Sequence, residues 1–419
     1  MNYRIMVTRL HILHEKQFPS VQPIIPDLIF HTSPALLNLI QLLNRNILHN
    51  EPLSAILWIE IIHFAKKMHL MPLLYSSIKN KEDIFPPPDI YIQLKSFYRE
   101  NAVRNLSLTY SLRILLTEFE KNNIRAIPLK GIYLANCVYD NPSARQMNDL
   151  DIMVRWKDVP DARNIVEKLG FKASDTCHLD NTYRRTKHHA PDFLHPSGTR
   201  VEIHWNILSP NGGNRGKELE DMIWLHTVPG EILGKKTLFL KPELSILHST
   251  IHLTFLHMFN SGIRDIYDID SVYRKFRGTI DWDFLVSFAR RFRFERALHL
   301  VLALTDIITG SDTLSELKKN GLYLEIPNKI LIFAANEIIR GGSKDSLSIK
   351  LLTSNPGPFA TTRALVNWLF PGRDELRDKY HVPPGHFGVY RCYPMLNYHR
   401  VTHFNEILRD YSFGRWMNG

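Results

Sequence analysis

The chain has 419 residues, 44% of them hydrophobic and 22% charged, a globular balance that excludes collagenous, coiled-coil and wholly disordered chains and provides for about two or three domains. Lys and Arg total 52 against 42 Asp and Glu, a net charge of +10, which favours an anionic partner such as a nucleotide, a polyphosphate, a nucleic acid or an acidic surface. Three scattered cysteines, Cys137, Cys177 and Cys392, make neither a disulfide framework nor a Cys-based zinc site and fit a reducing compartment, so a cytoplasmic location is expected.

In chain order, residues 32–49 and 53–79 carry apolar side chains three and four apart, the spacing of amphipathic helices. Pro86, Pro87 and Pro88 break that pattern, and 89–122 resume it as one long helix ending near Asn122-Asn123. This region, 1–122, is read as a helical lead-in. An α/β section follows over 123–240. Ile124 to Leu129 reads as a strand, Gly131 to Tyr139 as a short helix and Asp149 to Val154 as a strand. Asp158 to Leu169 reads as a helix closed by Gly170, and Thr199 to Ile207 as a strand rich in β-branched and aromatic residues. From Pro242 the periodicity is helical again, giving a second helical domain over 241–340, and 341–419 is a loop-rich aromatic and basic segment. No apolar stretch reaches the roughly 18–20 residues of a membrane span: Ile56 to Ala65 carries Glu60 and His63, and Ser245 to Phe259 carries three histidines. The basic N-terminus, interrupted by Arg9, His11 and His14, reads as an ordinary terminal segment.

The informative residues lie between 129 and 205. In a strand, Asp149 and Asp151 are two apart and project from one side, so both carboxylates can reach one ion. Glu202, between Val201 and Ile203, presents a third carboxylate beside them if the two strands are neighbours. Three carboxylates on an apolar sheet need a cation. Mg²⁺, with Mn²⁺ as the alternative, suits oxygen ligands and substrate phosphates, and two ions would make a phosphoryl-transfer site. Solvated carboxylates at a strand entrance are the competing reading. Gly131 at a helix start lets backbone N–H groups approach a phosphate, and Lys130 offers it a point charge. Arg145 can clamp a phosphate in fork geometry or make a salt bridge. His204 shares the face of Glu202, where it can orient a carboxylate, bind phosphate, carry a proton or serve only as a structural histidine. His188 and His189 are open between a phosphate role and loop packing.

Other features carry less. Asp268 and Asp270 diverge around a helix whereas Asp265 and Asp268 share a face, which argues against a rival D-x-D metal site. His248, His252 and His257 lack the HExxH pattern and nearby cysteines, so packed histidines are preferred to zinc ligands. The loop Asn211 to Lys217 matches no phosphate-binding pattern and reads as a turn. The run from His381 to Phe404 has a composition that can stack bases, but a tail docked on the helical domain is the preferred reading.

The ordered set LKG (Leu129 to Gly131), RQMNDLDIMV (Arg145 to Val154), a helix ending LGF, a His-His pair and VEIHW (Val201 to Trp205) resembles the uncharacterised nucleotidyltransferase family of the DNA polymerase beta superfold. The resemblance covers about 45–310, including Pro72 to Tyr75 and the segment IDWDFLVSFARRF. It implies an α+β fold: a small mixed sheet bearing three metal-binding carboxylates, with a helical lead-in and a helical domain that closes over the nucleotide. Asp149 and Asp151 match the metal-binding pair and Glu202 the third acidic position, and Arg264 and Asp268 match helical positions that contact nucleotide or pack helices. One departure stands out: the turn after the first strand usually ends Gly-Ser in the wider superfold and reads Lys130-Gly131 here.

The expected function is therefore Mg²⁺-dependent transfer of a nucleoside monophosphate from an NTP to an acceptor, with release of pyrophosphate. The acceptor is open among a small molecule, a saccharide, a peptide and a protein, with nucleic acid less favoured. The alternative is a non-catalytic nucleotide- or nucleic-acid-binding protein on the same scaffold.

Overall fold

The protein is described from a computed structural model, over residues 33–340 apart from 45–51, 82, 83, 85, 176–178 and 209–214, together with 390–393, 413, 416 and 417. The readings of the N-terminal segment, of Cys177, of most of the Asn211 to Lys217 loop and of nearly all of the aromatic run from His381 lie outside these residues. The chain divides into two compact units, residues 1–341 and 342–419. Every strand and helix from Pro34 to Arg340 belongs to the first unit.

The lead-in forms α1 (Pro34–Leu43), α2 (Ala55–Lys67), α3 (Met71–Ile78) and α4 (Pro88–Lys121). The 53–79 pattern is two helices, because the chain leaves α2 through His69 at φ 57 before Pro72 starts the next helix. In α4, Leu94, Asn101, Asn105, Leu108, Leu112, Leu115, Leu116 and Phe119 are buried, a stripe spaced by three and four. Asn123, at φ 55, ends its last turn in the left-handed region, as the Asn pair suggested.

The sheet core comprises β1 (Ala126–Pro128), α5 (Lys130–Cys137), β2 (Leu150–Val154), α6 (Val159–Lys168), β3 (Lys172–Ala173), α7 (Asn181–Thr186), β4 (Phe193–Leu194) and β5 (Arg200–His204). Strand order is β1-β2-β5-β4-β3. The β2/β5 pair is parallel and the β1/β2, β4/β5 and β3/β4 pairs are antiparallel, so the sheet is mixed and the fold is α+β. The sequence pattern missed β3, α7 and β4, because two-residue strands and a six-residue helix are too short to show a period. On one face Leu150, Ile152, Val154, Val201 and Ile203 pack on the α4 stripe and on Val159, Ala162 and Val166 of α6. Alternation along the strands therefore turns Asp151, Glu202 and His204 to the other face.

A hairpin of β6 (Thr227–Ile232) and β7 (Lys235–Leu240), also missed from sequence, turns through Leu233 and Gly234 at φ 48 and 74, the two positive values a two-residue turn of this hand needs. A Cβ on Gly230 would lie 2.0 Å from the Phe239 ring, itself 5.0 Å from the Tyr133 ring between centroids. Gly230→Ala is thus expected to cost about 1–3 kcal/mol by overpacking. A thermal midpoint equal to that of the wild type would contradict this.

The remaining α-helices of the first unit, among the described residues, are α8 (Arg215–Leu225), before the hairpin, and, after it, α9 (Pro242–Ile251), α10 (Arg264–Phe276), α11 (Trp282–Arg291), α12 (Glu295–Thr309), α13 (Thr313–Lys319) and α14 (Asn328–Arg340). Within the helical pattern that begins at Pro242, α9 stops at Ile251 and a π-helical turn, His252–Leu256, follows. Among the described residues no helix is long and apolar enough to cross a membrane.

Candidate active site

The parallel register pairs Asp151 with Glu202 and Met153 with His204, so two neighbouring strands deliver two carboxylates and an imidazole to one spot. Ligand atoms of Asp151, Glu202 and His204 all lie within 4.8 Å of one another. Asp149 immediately precedes β2, whose first residue is Leu150, one residue later than the sequence pattern suggested. It lines the same cleft as Asp151 and Glu202, a cavity of about 480 Å³.

Lys130 and His204 answer the carboxylates. Lys130 Nζ donates to Asp151 Oδ1 at 2.9 Å. His204 Nε2 donates to the same oxygen at 2.8 Å and lies 3.3 Å from Glu202 Oε2. Burial alone would lower the Lys130 and His204 pKa values, but Asp151 and Glu202 outweigh it and hold both above their ordinary values. Burial likewise pushes Asp151 and Glu202 up, and Lys130 and His204 overcome it, so both carboxyls are held below the usual range. Asp149 has no such hydrogen-bonded partner among the described residues, and the charges of Lys130 and Arg145 offset its surroundings only in part. Burial, then the charges of Asp151 and Glu202, push it up to about 6.

His204 is buried beneath the carboxylates and does not line the cleft. It therefore supports Asp151 and Glu202 from behind. Its Nδ1 is buried with no hydrogen-bond partner among the described residues. His188 and His189 do line the cleft. They lie along β5, with Ala190 N donating to Ile203 O and Trp205 N to His188 O, and their rings are 5.6 and 5.1 Å from that of His204. Burial holds both imidazoles below their ordinary pKa, so they face the cleft as neutral rings.

Lys130 opens α5 at φ 43, a left-handed conformation that is strained for a side chain and characteristic of functional turns. Gly131 follows for a steric reason: a Cβ there would be 2.7 Å from Arg145 Nη1 and 3.3 Å from Met147 Cγ. The group that approaches Gly131 closely is thus the Arg145 side chain.

Arg145 and Asp268 meet in the cleft wall. Arg145 Nε and Nη2 donate to the two oxygens of Asp268, each at 2.8 Å, and Tyr139 Oη donates to Asp268 Oδ1 at 2.8 Å. Each of the two residues anticipated as nucleotide contacts therefore has the other as its partner. Arg264 also lines the cleft, 3.6 Å from Asp265. Asp270 bonds Arg274 in its own helix, away from Asp265 and Asp268, as the helical spacing required.

Sequence reasoning missed the supports of this loop. Asn101 and Asn105 of α4 both donate to the Arg145 carbonyl, at 3.1 and 2.8 Å, and also to Ser143 O and Pro142 O. They fix the segment that delivers Asp149. Two asparagines four apart inside an apolar stripe were the available signal, since a buried amide needs partners outside its helix.

No curated protein matches the chain. A crystal structure of an antigenic nucleotidyltransferase-like protein from Paracoccidioides brasiliensis is similar at 15% identity, over 46% of this chain and 91% of that one, with a TM-score of 0.29. The model of the uncharacterised nucleotidyltransferase family matches residues 54–310, more than half of the sequence. With that extent of match, the chain belongs to the uncharacterised nucleotidyltransferase family.

Proposed function

We propose that the protein is a divalent-metal-dependent nucleotidyltransferase that moves a nucleoside monophosphate from an NTP to a hydroxyl or phosphate of an acceptor and releases pyrophosphate. The observation that carries this reading is the β2/β5 register, which sets Asp151 against Glu202 in a nucleotide-sized cleft that Asp149 also lines. The donor set fits the metal. It is rich in hard carboxylate oxygens, and Asp149 is the carboxyl that burial and like charge leave uncompensated. Asp149, Asp151 and Glu202 would hold Mg²⁺ or Mn²⁺, which when bound would neutralise charge developing on the transferring phosphoryl group.

The chain's own residues supply position and charge. Lys130 and His204 keep Asp151 ionised and oriented, Asn101 and Asn105 fix the loop leading to Asp149, and the Arg145–Asp268 pair ties that loop to α10. An in-line transfer depends mainly on such positioning. The partner is an NTP donor, and the acceptor supplies the hydroxyl or phosphate that receives the nucleoside monophosphate.

Calorimetric titration of the four NTPs, with and without Mg²⁺, into the wild type and an Asp149→Asn, Asp151→Asn double variant tests this reading. The expected result is metal-dependent binding of at least one NTP that the double variant loses. Binding indifferent to both metal and aspartates would favour a non-catalytic scaffold instead.

A further inference from the structure

The cleft has two unlike walls. Besides the carboxylates, the π-helical turn after α9, the residue that caps it and the first turn of α10 contribute His252, His257 and Arg264. Here the chain widens into the π-helical turn His252–Leu256, and Met258 and Phe259 follow at φ 47 and 64. Consecutive non-glycine residues in the left-handed region are strained, and π turns and strain of this kind concentrate at ligand-binding sites.

The strained turn folds His257 back on His252, so that their Nε2 atoms converge to 3.0 Å. Asp265, itself buried, fixes the His252 ring through Nδ1 at 3.1 Å and also accepts from Ser261 Oγ at 2.9 Å. Two imidazole edges thus point at one place, where they can bond each other or a third atom set between them. Beside them stands Arg264, its side chain 19% exposed and its Nε 3.6 Å from Asp265 Oδ1, an ion-pair distance too long for a hydrogen bond. Its buried Nε finds no hydrogen-bond partner among the described residues. Arg145, in contrast, places Nε and Nη2 on Asp268. A largely buried guanidinium with an unused donor is costly until an anion accepts from it.

We propose that His252, His257 and Arg264 form the anion-binding wall of the cleft, holding the β- and γ-phosphates of the donor nucleotide and the pyrophosphate split from it. This rests on the transferase reading. A triphosphate with its α-phosphorus at the carboxylates still carries anionic oxygens along the rest of its length, and His252, His257 and Arg264 of the same cleft offer the donors that can take them. The guanidinium and the one Nε2–H of the convergent pair then bond phosphate oxygens in place of their present contacts, and the second Nε2 joins them where the pair carries an added proton.

The test is calorimetric titration of inorganic pyrophosphate, in the presence of Mg²⁺, into the full chain and into Arg264→Ala, Arg264→Lys and His257→Ala, alongside the four NTPs. Arg264→Ala is expected to weaken pyrophosphate binding about tenfold or more, Arg264→Lys less, and His257→Ala several-fold. The lysine and histidine variants keep the test informative should the alanine variant fold poorly. Absence of pyrophosphate binding to the wild type, or equal affinity in all folded variants, overturns the proposal. Metal- and aspartate-dependent NTP binding with pyrophosphate affinity unmoved by these variants removes the wall alone. Pyrophosphate binding that the variants weaken, with NTP binding indifferent to metal and aspartates, removes the transferase reading and leaves the anion wall standing.

Discussion

Asp149→Asn is expected to abolish nucleotidyl transfer while raising the thermal midpoint of the metal-free chain above pH about 6. Burial and the charges of Asp151 and Glu202 push its carboxyl up to about 6 from an ordinary 3.8. The folded state therefore binds this proton more tightly than the unfolded state. That contribution to stability is complete below pH about 4 and is lost as pH rises through the folded value. An asparagine carries no such loss, so the gap between variant and wild type should open between pH about 4 and 6 in chelator and stay open above it. Turnover, read as pyrophosphate released from the NTP that binds when an extract supplies acceptor, should fall by on the order of 10²–10³ or more, as when a preorganised charge at a reacting centre is deleted. Asp151→Asn should lose turnover equally but also stability, because it strips Lys130 and His204 of their shared partner. Wild-type turnover in Asp149→Asn would remove this residue from the site.

The sequence made the centre of the site legible and left its surroundings dark, for a physical reason. Asp151 and Glu202 each sit between apolar neighbours, and alternation in a strand is a local property that any five-residue window displays. The long helix α4 was readable in the same way, from its period and its proline start. The support of His204 beneath the carboxylates could be framed as one option only, since choosing it required knowing that β2 and β5 run parallel in that register. The pairing of Arg145 with Asp268 spans 123 residues, and no local pattern announces a contact of that separation. The His252–His257 contact was lost for a different reason. Helical spacing separates residues five apart, and only the π turn with its left-handed exit brings these two rings together.

Breaking the Arg145–Asp268 pair should produce the largest loss of stability among single substitutions in the cleft. Side-chain exposure is 6% for Arg145 and 3% for Asp268, and the contact is bidentate, so solvent does little to replace a missing partner. Asp268→Asn or Arg145→Ala leaves one buried charge unmatched, at a cost of about 3–5 kcal/mol, and should lower the thermal midpoint by several degrees. A double replacement by apolar residues of similar volume, Arg145→Met with Asp268→Leu, removes both charges together and should be less destabilised than either single variant. The coupling found in that cycle measures how firmly the loop before β2 is bound to α10. Because Asn101 and Asn105 hold the backbone carbonyl of the same Arg145, loosening the pair should also displace Asp149 and weaken metal-dependent NTP binding in proportion. Single variants as stable as the wild type would show the contact to be unformed in solution. Single variants that are destabilised but bind NTP normally would show that the pair supports the fold without positioning the carboxylates.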